Sequence, residues 1–462
     1  MKRVATGLTC AAVALAATGL TLYSGIMGAQ GSDYHAPPLS TALIAQPDPQ
    51  LELRRLNDHA YQLGPLKIVH VWGSPREMGR QQGRAIAADI RAVRDQYLLK
   101  HVTEEQGYTR EYQVQCAKTM LKHIPPAYVA EMHGIAEGAG IAYEDILLLH
   151  THADMVHFGQ EWGQVRTGRE RRPESLCSNF VVLGSCTPDG RLLHGRNLDW
   201  STGTGVQDYA TVLVAEPDQG VPFALVTYAG AAGAVTGMNA EGLTFGEMTS
   251  STADETLDGL PLFFICRRIL QECRALDEVD RLVTSYPATT GWNFMVGDGQ
   301  ARDGRAYEVD AAGVEVFRPN DPKEDDRPVS WPIKDAIRRT NHPCSRTLQQ
   351  HAADRIGMSL ELARAAVLGV PSIDTWPRYV SLGEWIEQHR GRIDARLARA
   401  FLQSEPVAGG GNLHSVVFDP QDLVLWVANA TSGENRQPAW SQPYAKVELK
   451  RFLGKRPTPP AS

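Results

Sequence analysis

The sequence has no long run of basic residues, no internal repeat of fixed period and no low-complexity segment. The first absence removes the electrostatic footprint of a nucleic-acid binder, and a formal charge of -7 over 462 residues gives no reason to restore it. The densest basic cluster, Arg166 to Arg172, reads as a solvated loop. The other two absences exclude a repeat array and a disordered tract. Cysteine is scarce too: seven residues in a chain this long cannot define a disulfide-stapled miniprotein. Cys10 lies in the N-terminal apolar segment, leaving Cys116, Cys177, Cys186, Cys266, Cys273 and Cys344. If Cys177 is reserved for chemistry, the other five cannot all pair.

What is present is ordinary globular composition, enough for one large or two medium domains. Residues 1–31 begin with two cations and then carry no charge, which marks a signal peptide or a membrane anchor. Ala29-Gln30-Gly31 offers a cleavage site, and the product is expected to be secreted or periplasmic, or else anchored and facing outside the cytoplasm. Residues 32–64 read as an extended lead-in. Residues 65–176 read as a mostly helical region, with Met78, Ile86, Ile90, Val93 and Leu98 close to one face and glycines 134, 138 and 140 interrupting a later helix. Residues 177–462 alternate strand patterns with helices, the signature of an α+β layered domain. SNFVVLG and RLLHGRNLDW form an expected hairpin about Asp189-Gly190, and LHSVVFDPQDLVLWVAN a last one.

The stretch RRPESLCSNFVVLG, residues 171 to 184, places Cys177 where a charged, turn-prone segment meets an apolar strand. A thiol is a nucleophile only as thiolate, so a catalytic cysteine needs a base or an electropositive niche. A distant histidine could serve, with His194, His342 and His414 as candidates, and a purely packing role is the bland alternative. A third route explains the border. Cutting between Leu176 and Cys177 frees an α-amine whose pKa of about 8 suits it to take the proton of its own thiol.

CSNFVVLGSCTPDGRLLHGRNLDW resembles the start of the catalytic chain of N-terminal-nucleophile hydrolases, specifically the acyl-coenzyme A:6-aminopenicillanate acyltransferase family, with choloylglycine hydrolases and acid ceramidase as cousins. GSPREMGRQQG, EMHGIAEGAGIAYEDILLL, AGAAGAVTGMNAEGLTFGEM, RRTNHP and the terminal hairpin resemble further family segments, so the likeness runs over roughly residues 65 to 430. It implies a four-layered αββα sandwich whose residues 65–176 persist as a small subunit bound to the large one. By the same resemblance Cys177 is the nucleophile, Asp199 holds its α-amine, Arg196 contacts the thiol or the substrate, and Asn341 donates to the oxyanion. The position of a second oxyanion asparagine in choloylglycine hydrolases falls near Thr249 here, and Arg346 sits where related enzymes place an anion-binding arginine. The implied reaction is hydrolysis or acyl transfer at a linear amide through a Cys177 thioester, with no metal or organic cofactor and a small-molecule amide as the partner.

Two rivals come from other classes. His150, His152 and Asp154 in LLLHTHADMVHF form most of a di-zinc hydrolase motif. The expected histidine after the aspartate is Met155, and on a helix His150 and His152 point to different faces. An exported, non-catalytic binding protein on the same scaffold is the other.

Overall fold

A computed structural model describes residues 34–44, 48–158, 177–250, 252–355, 357–369 and 375–455. Its strands are β1 (Leu53–Arg55), β2 (Ala60–Leu63), β3 (Leu66–Gly73), β4 (Ser178–Gly184), β5 (Gly190–Asp199), β6 (Ala210–Pro217), β7 (Phe223–Tyr228), β8 (Thr236–Asn239), β9 (Leu243–Thr249), β10 (Trp292–Asp298), β11 (Asp303–Val309), β12 (Val314–Phe317), β13 (Ala336–Arg339), β14 (Asn412–Asp419), β15 (Val424–Asn429) and β16 (Ala445–Glu448). Ten form one sheet in the order β1-β2-β3-β6-β7-β8-β9-β10-β11-β12, and six form a second in the order β13-β4-β5-β14-β15-β16. β4 and β5 of the smaller sheet pack on β9 and β10 of the larger.

Of the helices, α1 (Pro75–Ala85), α2 (Pro126–Ala139) and α3 (Tyr143–His157) precede the cysteine, and α4 (Leu262–Glu272), α5 (Leu276–Val283), α6 (Thr375–Gln388) and α7 (Ala395–Leu402) follow it. α4 and α5 cover the ten-stranded sheet, and α6 and α7 cover the six-stranded one. The fold is therefore an α+β sandwich of αββα layers, with apolar strand faces buried between the sheets and beneath the helices. Among the described residues, no helix is long and apolar enough to cross a membrane.

Local chemistry sets the element ends. Pro75 opens α1 with its φ already helical, Glu77 occupies the first turn and Arg84 the last, matching the helix dipole. The Asp394 side chain caps α7 by accepting from the N–H groups of Arg396 and Leu397. The β4–β5 hairpin turns through Gly190 at φ +72°, a left-handed conformation in which glycine has no Cβ penalty.

Three details differ from the sequence reading. Leu66–Gly73, assigned to the helical region, is a strand, paired with β6 in parallel from Lys67↔Thr211 to Gly73↔Pro217. The lead-in contributes β1 and β2 to the same sheet. The hairpin taken as the last is followed by β16, which completes the smaller sheet.

Candidate active site

The β4–β5 register pairs Ser178 with Asn197 and Asn179 with Arg196, so Cys177, one residue earlier, falls opposite Leu198 and beside Asp199. The Cys177 Sγ lies 3.9 Å from the Asp199 carbonyl oxygen. Burial pushes the thiol up to about 12, opposed by the Arg196 guanidinium and reinforced by Glu247 and Asp199. In the intact chain this thiol is held protonated.

Arg196 is fully buried, and its surroundings explain why a charge is tolerated there. It donates to the Thr236 hydroxyl, to His414 Nε2 at 3.1 Å and to the Glu247 carbonyl at 2.7 Å, and it faces the Glu247 carboxylate at 3.5 Å. Gly246 on β9 makes the space. A Cβ there would come within 2.2 Å of Asn179 Oδ1 and 3.2 Å of Arg196 Cγ. Asp199 ends β5 with its carboxylate packed on Gly409, where a Cβ would lie 2.8 Å from Oδ2.

Asn341 reaches the nucleophile through one intermediary, Arg378 on α6. Arg378 donates to the Cys177 carbonyl, to Ser178 Oγ at 2.9 Å and to Asn341 Oδ1 at 3.0 Å. With Oδ1 so fixed, Asn341 Nδ2 donates to the Thr249 carbonyl at 2.9 Å, which leaves its second N–H for another acceptor.

A cavity of about 910 Å³, its mouth included, opens on Cys177. Leu198, Glu247, Thr249, Trp292 and His414 of the strand layers line it, together with Tyr97, Leu149, His152 and His157 from the chain before the cysteine. Its wall is mostly apolar, and among the described residues Glu247 is the only acidic side chain in it.

The structure thus gathers Cys177, Arg196, Asp199, Asn341 and Thr249. It sets Arg346 apart, 71% exposed and ion-paired with Asp326 at 2.7 Å, outside the cavity wall. Leu176 lies outside the described residues. Sequence reasoning missed Glu247 and Arg378, and it considered His414 only as one of several distant bases. A lone carboxylate in the apolar strand LTFGEMT was a readable signal for Glu247. For Arg378 there was none, because its tie to Cys177 spans 201 residues.

The zinc reading fails on geometry. His150 Nδ1–H donates to the Ile146 carbonyl at 2.7 Å and its Nε2 accepts from Ala232 N–H at 2.7 Å. His152 donates from Nδ1 to the Leu149 carbonyl and accepts at Nε2 from the Tyr97 hydroxyl, both at 2.8 Å. Asp154 Oδ1 accepts from Leu262 N–H and the Thr289 hydroxyl. With both nitrogens of each histidine engaged, no lone pair is left for a metal, and among the described residues no group close enough to share an ion includes this helix.

Residues 186–366 match the family model of acyl-coenzyme A:6-aminopenicillanic acid acyl-transferase. The resemblance read from the sequence holds over that segment, which begins after Cys177 and includes Arg196, Asp199, Glu247 and Asn341. The matched segment is less than half of the chain. An uncharacterized protein of Archaeoglobus fulgidus is 26% identical over 264 residues, 53% of this chain but only 43% of that protein. Protein dcd1A of Dictyostelium discoideum is 24% identical over 377 residues, 70% of this chain and 81% of that protein. Among solved structures, the Caenorhabditis elegans ortholog of N-acylethanolamine-hydrolyzing acid amidase is 16% identical, covering 53% of this chain and 93% of its own, with a TM-score of 0.38.

Proposed function

We propose that this protein is an exported, self-cleaving cysteine amidohydrolase or acyltransferase whose nucleophile is Cys177, freed as an N-terminal residue by scission of the Leu176–Cys177 bond. The observation that carries the reading is a buried thiol at the start of a strand, on the wall of a largely apolar cavity, with Arg196, Glu247 and Asp199 around it.

A thiol pushed up to about 12 needs a base at hand, and the side chains nearby do not provide one. The Cys177 α-amine, held by Asp199, takes the thiol proton. The thiolate then bonds to the acyl carbon, and the free N–H of Asn341 receives the resulting oxyanion. The carbon–nitrogen bond breaks, the amine leaves with the proton, and water or another amine resolves the thioester. Arg378 keeps Asn341 in register with the nucleophile through its two acceptors. Residues 1–31 would deliver the chain across the membrane, and hydrolysis is the expected outcome where no acyl-coenzyme A is available.

Intact mass and N-terminal sequencing of the purified protein, beside Cys177→Ala, test the reading. Two fragments, the larger beginning Cys-Ser-Asn-Phe and the smaller beginning near Ser32, with an uncut alanine variant, are expected. A single uncut chain in both would remove the α-amine mechanism. Asn341→Ala should keep the cleaved fragments but lose roughly 100- to 1000-fold in kcat on a chromogenic amide, the usual effect of deleting one oxyanion donor. An unchanged kcat would take Asn341 out of that role.

A further inference from the structure

The β14–β5 pairing is irregular at one place. Asn412 pairs with Asp199 and His414 with Leu198, so Leu413 is an extra residue on β14. Successive side chains of a regular strand face opposite ways, yet Leu413 and His414 both line the cavity that holds Cys177. A bulge re-aims side chains in this manner, and here it turns a buried imidazole toward the reaction site.

His414 Nε2 lies 3.1 Å from Arg196 Nη1 and 2.9 Å from Thr236 Oγ1. A guanidinium has only donors, so Nε2 must be the unprotonated acceptor. Thr236 Oγ1 itself accepts from Arg196, which leaves its own hydrogen to donate to the same imidazole nitrogen. Burial, and after it the Arg196 charge, hold His414 well below the ordinary imidazole range. The ring is therefore neutral with its proton on Nδ1. It cannot take a proton at Nε2 without losing Arg196, which excludes it as the distant base considered from the sequence.

We propose that His414 is a positioning residue: its Nε2, with the Thr236 hydroxyl, fixes the Arg196 guanidinium at the height where its charge acts on the Cys177 sulfur. The inference rests on Cys177 being the reactive thiol. Three charged groups bear on that sulfur, Arg196 favouring the thiolate and Glu247 and Asp199 opposing it. Without His414 and Thr236, the remaining partners of Arg196 are the Glu247 carbonyl and carboxylate, and the guanidinium would swing toward β9.

The test is the pH dependence of Cys177 alkylation by iodoacetamide, read by mass spectrometry, in the wild type, His414→Phe, His414→Gln and Thr236→Val. Phenylalanine keeps the ring volume without an acceptor, glutamine places an oxygen where Nε2 was, and valine keeps the shape of threonine without its hydroxyl. The labelling midpoint should rise by about one pH unit in His414→Phe and Thr236→Val, a tenfold loss of thiolate at a fixed lower pH, and return in His414→Gln. A volume-filling structural role would not move the midpoint or show that rescue. If His414→Phe does not fold, Thr236→Val carries the same test. Wild-type midpoints in folded variants would overturn the proposal and leave the Cys177 reading standing. Shifted midpoints in a protein that turns over no amide would uphold it and overturn the amidase reading. A wild-type thiol that labels at no pH would overturn it as well.

Discussion

Glu247 faces conflicting demands that pH resolves. Burial pushes its carboxyl up to about 7, the Arg196 guanidinium opposes this, and the nearby Asp154, itself pushed up to about 7 by burial, adds to it. The unfolded chain releases the Glu247 proton near the ordinary 4.5. Between 4.5 and 7 the folded protein therefore binds a proton that the unfolded chain has given up, and stability falls as pH rises through that window. A shift of this size amounts to roughly 3 kcal/mol, complete above pH 7. Glu247→Gln should remove that part of the slope and leave the part due to Asp154, whose rise from 3.8 to about 7 is no smaller. Urea unfolding at pH 5 and pH 8 measures it, and an identical loss in both proteins would place the titration elsewhere. At this scale the sequence showed the β4–β5 residues well, because Cys177, Arg196 and Asp199 sit in one hairpin whose alternation fixes their register. Arg378 and the Thr236–His414 pair were invisible there, since a helix and strands far apart in the chain bring them together.

The pairing of α1 and α2 shows what local pattern cannot reveal. Glycines 134 and 138 read as interruptions, yet both lie within α2 as the points where it meets α1. A Cβ at Gly79 would come within 2.1 Å of the Glu131 carbonyl oxygen, and one at Gly134 within 2.1 Å of the Arg76 carbonyl oxygen. Four-residue spacing on each helix, Gly79 with Gly83 and Gly134 with Gly138, lets the two backbones touch. That meaning exists only once the helices are known to be partners. Gly140 is the true terminator, at φ +67° with open space around its Cβ position. Alanine at position 79 would gain about 1 kcal/mol of helix propensity and lose more to the backbone clash. Gly79→Ala should lower stability by roughly 1 to 3 kcal/mol, seen as a fall of several degrees in Tm. Gly140→Asn should melt near the wild type, because asparagine accepts the left-handed conformation and nothing crowds it. Equal melting of the two variants would disprove the close-contact account.

Over the whole molecule, the chain before the proposed cut is built into the layers that follow it. β3 lies inside the ten-stranded sheet, hydrogen-bonded to β2 on one side and β6 on the other. Gln82 on α1 accepts from Gly230 N–H and donates to the Ala231 carbonyl, and His150 on α3 accepts from Ala232 N–H, so the first part of the chain shapes a loop of the cavity wall. At the far side, the Tyr34 hydroxyl hydrogen-bonds with Ser381, Ala36 N–H donates to Glu384, and Trp385 on α6 donates to the Pro37 carbonyl. Scission before Cys177 leaves all these contacts intact. The two fragments should therefore co-elute in size-exclusion chromatography and be held together through an affinity tag on the larger, separating only at denaturant concentrations that also abolish the near-ultraviolet signal of Trp200 and Trp292. Because Tyr97, Leu149 and His152 line the cavity from the smaller fragment, the isolated larger fragment should be inactive even with its N-terminal cysteine free. A large fragment that keeps full activity alone would mean that the first part of the chain is scaffolding for folding and not part of the site.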